Sequence, residues 1–98
     1  MNRFDYERAA DVAQAIGQAD AATSTGQVRF LAGGTNLVDL MKEDVERPRT
    51  LIDVNRLPLR PIEELADGGL RLGALATNAE TADHPVVRAR YPVLSSAI

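Results

Sequence analysis

No cysteine occurs among the 98 residues, and disulfides, cysteine-ligated iron–sulfur clusters and thiol catalysis are thereby excluded within this chain. Histidine occurs once, at His84, which leaves no paired imidazoles for a metal site. Any redox metal serving this chain is expected elsewhere. There is also no run approaching the roughly 20 apolar residues of a membrane helix. The opening Met1-Asn2-Arg3-Phe4-Asp5-Tyr6-Glu7-Arg8 alternates charged and aromatic side chains without leading into the apolar core of a signal peptide. The expectation is a soluble protein with no secretion signal of its own and no membrane partner. Net charge is −3 with the basic residues scattered, so neither the basic stripe of a nucleic-acid binder nor a patch for anionic lipid is present.

What is present is an ordinary globular mixture, 45% apolar and 26% charged, in a chain long enough for one small core. No repeat, low-complexity segment or Pro-rich or Ser-rich linker divides it. The alternation Arg3-Phe4-Asp5-Tyr6 predicts a short strand, and Asp11 with Gln14 three residues on resembles a capping box. Val12, Ala15, Ile16 and Ala19 then share one helical face, with Gln14 and Gln18 pointing away, over two to three turns. Thr23-Ser24-Thr25-Gly26 reads as a loop.

Val28-Arg29-Phe30-Leu31-Ala32 is a compact apolar strand cut off by Gly33-Gly34, and Thr35 is the expected N-cap of a second helix. Leu37, Leu40 and Met41 form its buried face, with Lys42 against its C-terminal dipole. Thr50-Leu51-Ile52-Asp53-Val54 is almost continuously β-branched or apolar, which predicts a strand covered on both faces with a parallel neighbour. Ile62 to Leu65 and Leu70 to Ala74 flank Ala66-Asp67-Gly68-Gly69 as a hairpin. Thr77-Asn78-Ala79-Glu80 is a full capping box opening a short helix, and Pro85 and Pro92 suit the first positions of two more, joined at Tyr91. Val93, Leu94, Ala97 and Ile98 make an apolar face without a C-cap, which predicts a fragment of a longer polypeptide that is prone to self-association.

Chemistry concentrates in Leu31-Ala32-Gly33-Gly34-Thr35-Asn36-Leu37. A strand meets a helix there through two glycines, a pattern that leaves unpaired amides for a phosphate. One glycine permits dihedrals closed to other residues, and the lack of a side chain permits close approach. The same pattern also ends a strand and starts a helix with no ligand at all, and local sequence leaves both readings open. It is neither the G-x-G-x-x-G dinucleotide fingerprint nor a P-loop, which would carry a lysine.

The wider neighbourhood, Phe30 to Lys42 followed by Leu51-Ile52-Asp53-Val54-Asn55 and Leu70-Arg71-Leu72-Gly73-Ala74-Leu75, closely resembles the FAD-binding subunit of molybdenum hydroxylases of the xanthine dehydrogenase and aldehyde oxidoreductase type. The opening Phe4-Asp5-Tyr6-Glu7-Arg8 is similar too, so the likeness runs along essentially the whole chain. The resemblance implies an α/β (α+β) fold, the N-terminal subdomain of the vanillyl-alcohol oxidase and p-cresol methylhydroxylase type, with residues 1–98 the first portion of a single FAD-binding domain. It assigns Phe30, Leu31, Ala32, Gly33, Gly34, Thr35, Asn36 and Leu37 to the FAD pyrophosphate, with a second glycine loop beyond Ile98. It further implies an iron–sulfur small subunit and a large subunit carrying the molybdenum cofactor. Electrons would pass through FAD to NAD+, oxygen or another acceptor. The compartment would be the cytoplasm, or the periplasm by export with a partner subunit. Two rival readings are a stand-alone flavoenzyme of the peptidoglycan-precursor reductase type and a non-enzymatic interaction module on a degenerate flavin fold.

Other polar residues carry plainer readings. Asp53 and Asn55 are expected to satisfy local amides at a strand end, and His84 to sit at a helix end beside Pro85. Glu63, Glu64 and Asp67 read as a solvated rim, and Ser95 and Ser96 as helix surface. No catalytic residue and no metal ligand is expected.

Overall fold

Thr50–Asp53 is the strand around which the first part of the molecule is organised, and all four of its residues are buried. In this computed structural model, which describes residues 2–98, two other strands run parallel to it, one on each side. They are β1 (Asp5–Arg8) and β2 (Val28–Leu31), so that the strand between them is β3 and the sheet order is β1-β3-β2. Parallel strands need crossovers, and α1 (Val12–Ala22) and α2 (Leu37–Lys42) are the helices that provide them. The nearly continuous apolar run thus forms a buried strand with a parallel neighbour, as its composition predicts, and with a second one on its other side.

The chain separates into two compact units, Met1–Leu57 and Pro58–Ile98. In the first, the core is Ala9, Ala15, Met41, Leu51, Ile52 and Leu57, with Ile52 wholly enclosed. Met41 comes from the predicted face of α2, and Lys42 lies in its last turn. Helix α1 packs on β3 through small residues: Ala15 is buried, whereas Val12 and Ile16 from the same expected face are 45% and 56% exposed. The stripe was read from spacing alone, and the close approach of alanine to the sheet leaves its bulkier members at the rim. Gln18 does not point away as expected. It is half-buried, and its Nε2 donates to the Arg8 carbonyl at 3.3 Å.

The start of α1 is as read: Asp11 Oδ1 accepts from the Gln14 amide at 2.7 Å, while Gln14 Oε1 accepts from the Ala10 amide at 2.6 Å. Thr23–Thr25 is a single 3-10 turn rather than an open loop, closed by its own hydroxyls donating to the carbonyls of Asp20, Ala21 and Ala22. The first strand begins at Asp5, two residues later than the alternation suggests, because the Asp5 amide is the first to reach the Arg49 carbonyl beside β3.

The second unit holds the hairpin β4 (Ile62–Glu64) and β5 (Leu70–Leu72), antiparallel, with Gly68 at φ 90° in its turn. Three six-residue helices follow: α3 (Asn78–Asp83), α4 (Pro85–Arg90) and α5 (Pro92–Ala97). Both prolines occupy the first helical turn, where a missing amide costs nothing. Thr77 caps α3 by accepting from the Glu80 amide at 3.0 Å, but the Glu80 carboxylate turns instead to Arg60 at 3.4 Å. No helix among the described residues is long and apolar enough to cross a membrane.

Candidate functional site

Because β1, β3 and β2 run parallel, their carboxyl ends share one edge, and the chain leaving β2 there is the glycine stretch. Ligand sites of open parallel sheets lie at such edges, since the loops that leave the strands converge there. Phe30 pairs with Ile52 across the sheet and is 52% exposed. Leu31 pairs with Asp53, and its carbonyl accepts from the Val54 amide at 3.0 Å. Ala32 and Gly33 are exposed, Gly34 is half-buried, and Thr35 and Asn36 form an exposed turn before Leu37 opens α2. The eight residues are therefore one continuous path from sheet to helix.

Thr35 is not the N-cap. Asn36 holds that position, with φ −100° and ψ −50°, and neither side chain bonds a backbone amide. The cause lies at Gly34, whose φ of 79° turns the chain and whose carbonyl accepts from the Val38 amide at 3.0 Å. That carbonyl closes the first helical bond, which leaves the Thr35 hydroxyl and the Asn36 amide group outside the capping geometry.

The two glycines have different uses. A Cβ at Gly34 would meet Val38 Cγ2 at 3.2 Å and Leu31 Cδ1 at 3.3 Å, so this position serves the positive φ and the packing beneath the loop. A Cβ on Gly33 would meet nothing within 4 Å, so here the backbone is bare to its surroundings. Among the described residues, the amides of Gly33, Gly34, Thr35, Asn36 and Leu37 donate to no backbone acceptor. Successive free amides on a bare turn suit an anion that is itself rich in acceptors, and a pyrophosphate fits that description. The six residues of α2 give only a short dipole, so the amides themselves carry the fit.

Beside the loop lies a polar cluster that sequence reasoning read only as a turn. The Asp53 Oδ1 does accept from the Asn55 amide at 2.9 Å, as a strand-end aspartate should. Its Oδ2 also accepts from the Tyr6 hydroxyl, and Arg8 Nε stands 3.8 Å away. Asn55 Nδ2 reaches Asp53 Oδ1 at 2.8 Å and the Ala32 carbonyl at 2.8 Å. One carboxylate thus joins β1 to β3, and one amide joins β3 to the glycine loop. The hydrogen bond from Tyr6, aided by those from Asn55 and by the Arg8 charge, holds the Asp53 carboxyl below its ordinary pKa against the opposing effect of burial. The signal for this was faint. Tyr6 lies 47 residues from Asp53, and only the register of β1 on β3 brings them together.

His84 sits at a helix end as expected and caps α4, its Nδ1 accepting from the Val86 amide at 3.2 Å. Ser95, read as helix surface, is instead half-buried and ties α5 to α3 by donating to the Ala82 carbonyl at 2.7 Å. Glu63 and Glu64 are exposed and face Arg71 and Arg90. Among the described residues no three acidic or histidine side chains gather as a metal site.

Residues 2–98 match the family described as the FAD binding domain in molybdopterin dehydrogenase. The chain is 49% identical over 98 residues to the FAD-binding subunit of an aldehyde oxidoreductase from Escherichia coli, covering all of this chain and 30% of that protein. It is 34% identical over 96 residues to the carbon monoxide dehydrogenase medium chain of Hydrogenophaga pseudoflava, covering 97% of this chain and 32% of the relative. The solved structure of that organism's carbon monoxide dehydrogenase superposes with a TM-score of 0.87 at 34% identity, over 98% of this chain and 33% of its counterpart. Quinoline 2-oxidoreductase from Pseudomonas putida also superposes with a TM-score of 0.87, at 26% identity, over 97% of this chain and 32% of its counterpart. The chain spans about a third of the length of these relatives. It belongs to the FAD-binding domain family of the molybdopterin dehydrogenases.

Proposed function

We propose that this chain is part of the FAD-binding, electron-transfer subunit of a molybdenum hydroxylase, and that the stretch from Phe30 to Leu37 holds the FAD pyrophosphate. The single observation that supports this best is the row of unpartnered amides at Gly33 to Leu37 on a turn bare of side chains. The flavin would supply the redox chemistry, linking iron–sulfur clusters in a small partner chain to NAD+, oxygen or another acceptor, while the organic substrate reacts at molybdenum in a large partner chain. The protein's part is to bind and orient. Amides of Gly33 and Gly34 donate to phosphate oxygens, Thr35 and Asn36 add side-chain donors, and Phe30, Leu31 and Ala32 set the path by which the loop leaves the sheet. One short helix end contributes at most ~2 kcal/mol, and submicromolar retention needs about 8 kcal/mol, so other parts of the subunit supply most of the affinity.

The test uses the full-length subunit. Gly33→Val places a branched side chain where a Cβ meets open space, so the fold survives while the phosphate is shut out. The ratio of flavin to protein absorbance should fall several-fold, and a normal ratio contradicts the assignment. The full-length protein should also co-purify with an iron–sulfur chain and a molybdenum chain. A monomer that turns over a small substrate unaided would favour the stand-alone flavoenzyme instead.

A further inference from the structure

Asn55 stands just past the end of β3, half-buried, and its side-chain amide faces three acceptors: Asp53 Oδ1 at 2.8 Å, the Ala32 carbonyl at 2.8 Å and the Leu31 carbonyl at 3.5 Å. Three acceptors around one atom make it the donating nitrogen, so the orientation of the amide follows from its surroundings. Its backbone amide bonds the same carboxylate oxygen at 2.9 Å, which fixes Asn55 at both ends. The carboxylate is anchored in turn by the Tyr6 hydroxyl. Thus the Ala32 carbonyl, on a loop with few bonds of its own, is tied to the most buried strand of the sheet.

A trans peptide is planar, with its carbonyl and its amide pointing in opposite directions, and no cis bond occurs among the described residues. Tying the Ala32 carbonyl toward Asn55 therefore turns the Gly33 N–H away from Asn55. Among the described residues the Gly33 amide has no acceptor, and its Cα is bare. We propose that Asn55 is a positioning residue for the dinucleotide pyrophosphate: by holding the Ala32 carbonyl it presents the Gly33 amide to a phosphate oxygen. Asp53 and Tyr6 hold Asn55 in place, and none of the three needs to touch the cofactor. The inference rests on the pyrophosphate reading above and adds what orients the loop before the ligand arrives.

The experiment compares the full-length subunit with its Asn55→Ala, Asn55→Leu and Gly33→Val variants. Leucine keeps roughly the outline of asparagine without donors or charge, so it serves where alanine impairs folding. FAD affinity is read by titrating FAD-free protein, the pyrophosphate by the 31P resonances of bound FAD, the ring by its visible spectrum, and folding by melting of the FAD-free form. Asn55→Ala and Asn55→Leu should each weaken FAD about tenfold, the loss of roughly one well-oriented hydrogen bond. They should shift the 31P resonances while leaving the visible spectrum of bound flavin unchanged, with at most a small fall in the FAD-free melting temperature. Unchanged affinity in both, with Gly33→Val empty of FAD, overturns the role of Asn55 and leaves the pyrophosphate reading standing. Full FAD content in Gly33→Val overturns that reading and this inference with it. An affinity loss that tracks a fall in FAD-free melting temperature, with 31P resonances unmoved, makes Asn55 merely structural and overturns the proposal.

Discussion

The two units differ in what holds them. In Met1–Leu57 a strand buried along its whole length is flanked by two parallel neighbours, and Ala9, Ala15, Met41, Leu51, Ile52 and Leu57 are buried. In Pro58–Ile98 a two-stranded hairpin and three six-residue helices enclose Val87 and Thr81 alone. A lone hairpin is marginal in water, and helices of less than two turns do not sustain themselves. The first unit is thus built around non-local sheet pairing. The second leans on local devices: the Thr77 cap, the His84 cap and two prolines in first turns. The candidate phosphate loop leaves the unit with the firm core, which suits a site whose amides must already be in place.

Substitutions separate these modes of support, beginning with the largest effect. Ile52→Ala in the wholly enclosed centre of β3 should cost about 2–5 kcal/mol in denaturant unfolding of the full-length subunit. Val87→Ala, the matching change in the second unit, removes less apolar volume and should cost about 2 kcal/mol. If Val87→Ala proved the costlier of the two, the contrast between the units would be wrong.

Asp53→Asn comes next, at about 2 kcal/mol, because it removes the charge that accepts from Tyr6 and Asn55 in a nearly enclosed position. The pH dependence has a definite sign. Since the folded-state pKa is lowered, the contribution of Asp53 is complete above the ordinary carboxylate value near ~3.9 and is lost as pH falls through the folded value. Wild type should therefore lose its margin over Asp53→Asn on acidification below about pH 4, which unfolding curves at stepped pH would detect.

Removing the two helix caps gives a finer comparison. Asp11→Ala and Thr77→Ala each delete a side-chain acceptor for an amide three residues on, and each should cost about 1 kcal/mol. Hydrogen exchange should place the added opening locally, within α1 for the first and across α3 and its neighbours α4 and α5 for the second, since those helices pack on one another. The smallest effect belongs to Arg29→Ala, which breaks an exposed ion pair to Glu46 at 2.8 Å and should change stability by less than about 1 kcal/mol.

Much of the framework was legible because it rests on local chemistry. The nearly continuous β-branched and apolar run at Thr50 to Val54 announced a doubly covered strand, and Pro85 and Pro92 announced two helix starts to the residue. The glycine loop was legible as a candidate phosphate turn, but the division of labour between its glycines was not. That depended on φ at Gly34 and on the empty space at Gly33. Thr35 misled because capping chemistry was read without the turn that a positive φ imposes. Asp53 and Asn55 were legible only as far as their own amides, since Tyr6 and Ala32 reach them through strand pairing that no local pattern encodes.

The position of β3 in the chain has a consequence for synthesis. It lies between β1 and β2 in space but follows both in sequence, so neither outer strand has a partner until residues 50–53 have left the ribosome. At ordinary elongation rates, the stretch from the end of β2 to the end of β3 takes about one to four seconds to make. During that interval β1 and β2 are unpaired edges on a nascent chain, with Tyr6 and Phe30 on offer to any strand nearby. Arrival of the middle strand closes both edges in one event. A ribosome stalled before Thr50 should hold a chain with no sheet, and one stalled once residue 57 has cleared the exit tunnel should hold the complete parallel sheet with its glycine loop.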